Sequence, residues 1–294
     1  MLRLKKIAVW TGRILLVLLL LLSLATLFIY SSTEKRLNKK YSFSEPELAI
    51  PSDSGSIRKG MHLYQIRSCG DCHGAKLEGG MFMNDSKLLQ LTAPNLTKGK
   101  GGLPDNYTSK DWVRVLRHGV DKTGKSLWMM PAYESNPLSK TDLANLIAYC
   151  QSVAPVEVKQ EKLKKMGPIG RVLMVLDNVA VLPAERINHA TPLTGTTPTN
   201  KVGFGKYLAR TCEGCHRSNL KGGSPLAPGF PAVPDISATG APGNWSESEF
   251  IAAIRTGKTP EGKLLRNEFM PWQNMHHFSD EELTAIKSYL QQLR

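Results

Sequence analysis

The hydrophobic positions of the chain form one long run near the N-terminus, followed by a series of short helical patterns. Residues 14–30 are apolar except for three hydroxyl-bearing side chains, and the apolar pattern reaches back to Ile7 with a break at 11–13. A run of about 17 to 24 residues is long enough to cross a bilayer as a helix. Residues 23–25 also resemble a signal-peptide cleavage site, but residues 27–30 continue the run past it, which favours a retained anchor.

The rest of the chain carries the same helix signals twice. In each copy a Ser or Thr followed three positions later by Asp or Glu predicts a helix start, and an apolar face follows. The four pairs are Thr108 with Asp111, Ser139 with Asp142, Ser246 with Glu249, and Ser279 with Glu282. Gly119 and Gly257 stand where a C-terminal glycine ends the first helix of each copy. The sequence therefore predicts an internal repeat of two helical domains.

Each copy of the repeat begins with a further short helix, predicted over residues 57–67 and 201–210. Gly60 and Gly203 each lie nine positions before a cysteine, and Tyr64 and Tyr207 each lie five positions before it. We expect these two glycines to allow a close crossing with another helix.

The net charge of +13 does not indicate a nucleic-acid partner. The basic residues are spread along all 294 positions rather than gathered in one block, so an ordinary soluble surface with lysines beside a membrane is favoured. A hydrophobic fraction of 41% is typical of folded protein, and the low aromatic fraction of 7% suits two small domains.

Two C-x-x-C-H motifs carry the chemistry: Cys69, Cys72 and His73 form the first, and Cys212, Cys215 and His216 form the second. This spacing lets two thiols form thioethers to one porphyrin while the adjacent imidazole binds its iron. A redox dithiol or half of a zinc site is the alternative for a single copy, and the repetition disfavours both. The fifth cysteine, Cys150, lies on the buried side of the last predicted helix, where a small core residue is expected.

The motifs, together with Gly60, Tyr64, a Met-Pro pair and a last helix carrying Tyr149, resemble the class I cytochrome c family, and all recur in the second copy. The resemblance implies an all-α fold with two tandem class I cytochrome c domains, each holding one covalent haem c, after an N-terminal transmembrane helix. The predicted units are the anchor (1–35), a juxtamembrane linker (36–56), domain 1 (57–154), an inter-domain segment packing across both domains (155–200) and domain 2 (201–294).

Met130 and Met270 are the candidate distal iron ligands. Each precedes a proline and lies nine positions before the serine that caps the last helix of its copy. Met/His ligation is the cytochrome c arrangement that raises the reduction potential. Neighbouring side chains could compete for the iron: Met129 in the first copy, and Met275, His276 and His277 in the second.

The resemblance also implies an acceptor for the second ring proton of each ligating histidine, because a proline carbonyl takes it in this family. Pro94 and Pro234, which lie 140 positions apart, are the matching candidates. The remaining histidines His62, His118 and His189 have no repeat counterpart and are expected in surface or structural roles.

The inter-domain segment is too long for a plain linker. Residues 169–182 are apolar enough to pack, but Arg171, Asp177 and Asn178 rule out a second span. Residues 191–200, rich in Thr, Pro and Gly, are predicted to be an exposed tether.

Covalent haem attachment takes place outside the cytoplasm, so the haem domains are expected on the periplasmic face of a bacterial inner membrane, held by a single-pass anchor in its lipid. Basic residues flank the anchor on both sides and do not orient it.

Two His/Met haems leave no open iron site for a substrate, which favours an electron carrier over an enzyme. The sequence from Tyr107 through Met130 to Val153 resembles cytochromes of bacterial membrane dehydrogenases, although those subunits often carry three haems. The expected donor is a dehydrogenase or quinol-oxidising complex, and the expected acceptor is an oxidase or another cytochrome. A dihaem peroxidase or thiosulfate dehydrogenase is the alternative, and it would need an iron with a labile or unusual ligand.

Overall fold

The computed structural model describes residues 2–159, 161–177, 181–193, 195–226 and 229–294. The first helix, α1 (Leu2–Leu37), contains the one described helix stretch that is long and apolar enough to span a membrane, Lys5–Leu37. Every side chain from position 5 to 28 is exposed, whereas Thr33 and Leu37 are buried against the rest of the protein. Packing onto the folded domains therefore starts where the apolar run ends.

Domain 1 is built on two helices that cross closely. Its elements are α2 (Ser54–Ile66), α3 (Gly70–His73), α4 (Ser109–Val113) with a π-helical turn (Arg114–His118), α5 (Ala132–Ser135) and α6 (Lys140–Ser152). A Cβ added at Gly60 of α2 would lie 1.9 Å from the carbonyl oxygen of Asn145 in α6. Only a residue without a side chain fits this crossing, as the sequence predicts.

Domain 2 repeats this frame with α8 (Lys201–Leu208), α9 (Arg210–His216), α10 (Glu247–Thr256) and α11 (Asp280–Leu290). Here the crossing glycine is Gly205, whose added Cβ would lie 1.9 Å from the carbonyl oxygen of Ala285. The prediction that Gly203 has this role is wrong, because its nearest neighbours are side-chain atoms of the helix cap Asn200. The crossing glycine lies nine positions before Cys69 but seven before Cys212, so counting back from the cysteine selects the wrong residue.

The protein is mostly helical, as predicted, but a small antiparallel sheet that the sequence did not predict lies beside the helices of domain 1. Its strands are β1 (Gly80–Asp85), β2 (Leu89–Ala93) and β3 (Lys164–Met166), in the order β1-β2-β3. The pairing of β2 with β3 ties the inter-domain segment to domain 1.

After β3 the inter-domain segment forms α7 (Pro168–Val175), which packs against the end of α1, and a 3-10 turn (Pro183–Glu185). Apart from the Asn200 cap of α8, its described hydrogen bonds to other parts of the chain reach α1 and domain 1. Packing across both domains therefore stays a prediction. Asn178 of the apolar stretch and Thr194 of the predicted tether lie outside the described residues.

One hydrophobic cluster runs through both domains. It includes Leu63 and Leu146 of domain 1 together with Leu208 and Leu290 of domain 2, and it contains Cys150 in the buried position expected from the sequence. The two domains therefore share a core rather than meeting only through their surfaces.

The predicted helix caps are largely present. Thr108, Ser246 and Ser279 form complete capping boxes, and the two helix-ending glycines adopt left-handed backbone conformations. Ser139 caps α6, but the Asp142 carboxylate of this pair accepts a hydrogen bond from Tyr207 Oη of domain 2, at 2.6 Å.

Candidate haem-binding sites

The four motif cysteines lie in the short helical turns α3 and α9 or at their start, half-buried and free of disulfides. Burial raises the pKa of Cys69 and of Cys212 to about 12, and also raises the pKa values of Cys72 and Cys215. Buried thiols with raised pKa values stay protonated, so they do not have the lowered pKa of a reactive redox dithiol. Within the described residues, no group of three or more His, Cys, Asp or Glu side chains is arranged to hold a bare metal ion.

Both motif histidines are oriented by a proline carbonyl. Nδ1 of His73 lies 3.1 Å from the Pro94 oxygen, and Nδ1 of His216 lies 2.9 Å from the Pro234 oxygen. A carbonyl can only accept, so Nδ1 carries the proton and Nε2 keeps its lone pair for an iron. Burial lowers the pKa of both imidazoles, which also favours the neutral, ligating form.

The structure separates Met130 from its neighbour Met129. Met130 packs against the cluster that fills the two domains, together with Cys69. Met129 has a left-handed backbone (φ 60°) and packs instead against a second cluster of Leu37, Met174, Val181 and Leu182 at the end of α1. The two side chains therefore belong to different cores, and Met130 is the one placed with the haem motif.

In domain 2, Met270 and Met275 are both half-buried against the shared core, together with Cys212. His276 and His277 are exposed at the end of a 3-10 turn (Trp272–His277). Met270 therefore lies in the core that holds its motif, and the two histidines lie outside that core. Met275 lies in the same core and stays an alternative to Met270.

The two haem-attachment turns meet at one polar pair, Arg67 and Glu134. Arg67 is 7% exposed. Its guanidinium donates to the Glu134 carbonyl oxygen, to Thr211 Oγ1 and to the Tyr207 carbonyl oxygen, each at 3.3 Å. A Cβ added at Gly214, inside the second motif, would lie 2.7 Å from Glu134 Oε1. The carboxyl of Glu134 therefore lies against the second motif, while its carbonyl oxygen accepts from Arg67, two positions before the first motif.

Contacts across the domain interface are reciprocal. The turn after Met130, α5, packs on α9 of domain 2, while the turn after Met270 packs on α2 of domain 1. Asn274 of that second turn donates to Asp71, inside the first motif, at 2.7 Å. The loop after each candidate distal methionine therefore lies against the attachment region of the other domain.

The first helix of each domain also forms a hydrogen bond to the last helix of the other domain. His62 of α2 lies two positions after Gly60 and donates from Nε2 to Glu282 of α11, at 2.8 Å. Tyr207 of α8 lies two positions after Gly205 and donates to Asp142 of α6. Each acceptor is the third residue of the last helix of the opposite domain, so the two domains are related by an approximate twofold arrangement.

No sequence pattern singles out Arg67, Glu134 or Asn274 as functional residues. The one signal is that Arg67 and Arg210 both stand two positions before the first motif cysteine. The repeat could not show that Arg67 is buried between the domains while Arg210 pairs with Glu213 three positions away in its own helix.

The other histidines have the structural roles expected from the sequence. The buried His118 ring stacks on Phe43 of the juxtamembrane linker (centroids 4.2 Å apart), and its Nε2 lies 3.1 Å from the Glu45 carboxylate. His189 of the inter-domain segment contacts His118 through Nδ1, at 3.0 Å. These contacts hold the linker on domain 1, away from the motif cysteines.

Comparisons with known proteins agree with this structure. Residues 203–294 match the family described as cytochrome c, and residues 55–150 match cytochrome c oxidase, cbb3-type, subunit III. The chain is 24% identical over 280 residues to the cytochrome c subunit of a quinone alcohol dehydrogenase from Gluconacetobacter polyoxogenes, covering 82% of the chain and 57% of that protein.

Two further relatives are the fructose dehydrogenase cytochrome subunit of Gluconobacter japonicus and the gluconate 2-dehydrogenase cytochrome c subunit of Pantoea cypripedii. The first is 25% identical, covering 80% of the chain and 52% of the relative, and the second is 24% identical, covering 81% and 59%. The chain thus spans little more than half the length of these relatives.

Fold, attachment turns and family matches together define a c-type cytochrome with two tandem cytochrome c domains. The residues present fit covalent haem c in both domains. Each domain has a free cysteine pair, a histidine whose Nε2 is available for iron and a methionine in the same core.

Proposed function

We propose that the protein is a membrane-tethered dihaem electron carrier, which accepts electrons from a dehydrogenase or quinol-oxidising complex and delivers them to an oxidase or another cytochrome. The observation that carries the proposal is the meeting of both attachment turns at Arg67 and Glu134. A carrier needs its two redox centres close together and shielded from water, and the buried contact between the two attachment turns supports that arrangement. The cytochrome subunits of dehydrogenases among the relatives support a dehydrogenase as donor.

In this proposal Cys69 and Cys72 hold the first haem and Cys212 and Cys215 hold the second, with His73 and His216 as proximal ligands. Met130 and Met270 take the distal positions. The haems, when bound, supply one-electron chemistry. The Pro94 and Pro234 carbonyls accept the hydrogen bonds from Nδ1 of the two histidines. A methionine at the sixth position of each iron would leave no open site for a substrate.

The N-terminal helix is proposed to anchor the chain in the inner membrane, with both cytochrome domains on the periplasmic side. Its 5–28 stretch exposes apolar side chains over its whole circumference, which is favourable in lipid and unfavourable in water.

The test is to purify the tagged full-length chain from membranes of its native host in mild detergent and identify the proteins that accompany it. We expect the catalytic subunit of a dehydrogenase, and we expect that subunit's substrate to reduce both haems of the preparation. The proposal is contradicted if substrate leaves the haems oxidised although dithionite reduces them, or if the purified chain turns over peroxide at a high-spin haem.

A further inference from the structure

Helix α7 leaves an apolar stripe uncovered. Gly170 and Met174 are buried, whereas Ile169, Val172 and Leu176 are 47%, 39% and 62% exposed. Their spacing of three and four positions places them on one face of the helix, opposite the buried one. A soluble surface rarely presents three large aliphatic side chains in a row.

The position of α7 along α1 indicates what covers this stripe. The Arg171 guanidinium lies 4.4 Å from the Tyr30 ring centroid, and it donates to Thr33 Oγ1 and to Glu34 Oε1, both at 2.6 Å. Tyr30 is the last residue of the apolar run, and Glu34 lies about 6 Å farther along the helix axis. Aromatic and basic side chains gather at this level of membrane proteins, where acyl chains meet headgroups.

The orientation of α7 is fixed by its neighbours. A Cβ added at Gly170 would lie 2.1 Å from the Leu88 carbonyl oxygen, so the helix cannot roll toward domain 1. At its other end, Arg36 donates to the Met174 carbonyl oxygen at 2.5 Å and pairs with Glu185 at 2.6 Å. The stripe therefore keeps facing outward beside the exposed apolar surface of α1.

We propose that α7 is a membrane-interfacial helix whose exposed stripe inserts at the boundary between lipid headgroups and acyl chains. Ile169 and Val172 lie beside Arg171, level with the end of the apolar run, and so contact acyl chains. Leu176 precedes Asp177, whose carboxylate lies 3.7 Å from Arg36, and so reaches only the headgroups. The inference rests on the proposed anchoring by α1 and adds a second, fixed contact that orients domain 1 on the membrane.

The test compares single cysteine variants of the full-length chain in lipid nanodiscs. Val172→Cys is the probe, and Val202→Cys in α8 of domain 2 is its matched control, since both valines are helical and 39% exposed. Leu20→Cys reports on lipid around α1. The motif cysteines are taken up by haem and Cys150 is buried, so each variant adds one reactive thiol.

We expect a charged, water-soluble thiol reagent to modify Val172→Cys about tenfold or more slowly than Val202→Cys, because each unit by which lipid raises a thiol pKa lowers the thiolate fraction tenfold. Leu20→Cys should be protected at least as well. Equal rates for the two valine positions with Leu20→Cys protected would overturn this inference and leave the anchor intact, so that a protein partner would have to cover the stripe. Rapid modification of Leu20→Cys would contradict both proposals.

Discussion

The two haem domains have the same helical frame and differ in the stretch that leads from the crossing glycine to the haem motif. Domain 1 has nine positions from Gly60 to Cys69 and places Ser68 in a left-handed conformation (φ 51°), whereas domain 2 has seven from Gly205 to Cys212. The tyrosines at equal distance from the motifs therefore differ. Tyr64 donates to the Gly74 carbonyl oxygen in its own domain, at 2.6 Å, and Tyr207 donates to Asp142 in the other.

Counting from the crossing glycines instead pairs Tyr207 with His62, and these two side chains make equivalent contacts across the interface. The helix crossing and the cross-domain contact thus keep the same spacing of two positions in both domains, whereas the stretch from the crossing glycine to the haem motif differs by two residues. Each prediction below therefore compares a variant at the interface or crossing with a second variant that serves as its counterpart or control.

The largest effect is expected at the crossing glycines. Gly205→Ala would push a methyl group into the Ala285 carbonyl and should lower the free energy of unfolding by about 3 kcal/mol or more, since neither helix backbone can yield cheaply. Gly203→Ala, two positions away, meets only the flexible Asn200 side chain and is the control. Denaturant unfolding followed by circular dichroism measures both, and equal losses would contradict the assignment of the crossing to Gly205.

The next effect concerns the cross-domain tyrosine. Tyr207→Phe removes a hydrogen bond to the Asp142 carboxylate and should cost about 1.5 to 3 kcal/mol, the range for bonds to charged groups. Hydrogen exchange should also rise at the start of α6, in the other domain. Tyr64→Phe removes a bond to a neutral carbonyl and should cost about 1 kcal/mol, with faster exchange confined to domain 1. If Tyr207→Phe left α6 unchanged, the link would not hold the domains together.

Glu134 and Asn274 occupy the same place, four positions after the candidate distal methionine, and differ in charge. Burial raises the pKa of the Glu134 carboxyl to about 8, although Arg67 opposes the shift. Between pH 4.5 and about 8 the folded state thus holds more protons than the unfolded state, so this group's contribution to stability falls as the pH rises through that window.

Glu134→Gln places a neutral amide here, as in domain 2, and should reduce the fall in unfolding free energy between pH 4.5 and about 8. Unfolding free energies measured across this pH range test it, with the exposed pair member Glu268→Gln as control. An unchanged pH profile in Glu134→Gln would show that another group is responsible.

The smallest effect is expected at His62, the counterpart of Tyr207, because its side chain is 38% exposed and solvent screens its pair with Glu282. The hydrogen bond to Glu282 raises the pKa of His62, while burial opposes the shift. Its stabilisation is fully present below pH 6.5 and is lost as the pH rises through the raised value. His62→Gln should therefore cost about 0.2 to 1 kcal/mol at pH 5.5 and less at pH 8.5. A larger loss at the higher pH would contradict this assignment.

The sequence predicts the parts of the fold that local chemistry determines. Short-range patterns with a physical cause predict the helix caps, the helix ends and the motif turns. The caps are Thr108, Ser246 and Ser279, and the ends are Gly119 and Gly257. The sheet could not be predicted, since β3 is three residues of the inter-domain segment that pair with a distant strand.

The interface was missed for the same reason. Whether Arg67 is buried between two domains or Arg210 stays in its own helix depends on how the domains dock, which no local pattern records. Likewise, the choice between Gly203 and Gly205 needed the partner helix. The haem ligands themselves stay predictions that the geometry supports.

The most direct test of the account is the ferric absorption spectrum of methionine variants, with Met129→Ala as the matched control because Met129 packs in the other core. Met130→Ala and Met270→Ala should each abolish the sulfur-to-iron absorption of one haem and lower its reduction potential, with two covalent haems retained by mass. Met129→Ala should leave both the sulfur-to-iron absorption and the reduction potential unchanged. The account of two closed His/Met centres would be contradicted by an unchanged spectrum in Met130→Ala, by loss of the band in Met129→Ala, or by a high-spin haem in the wild-type protein.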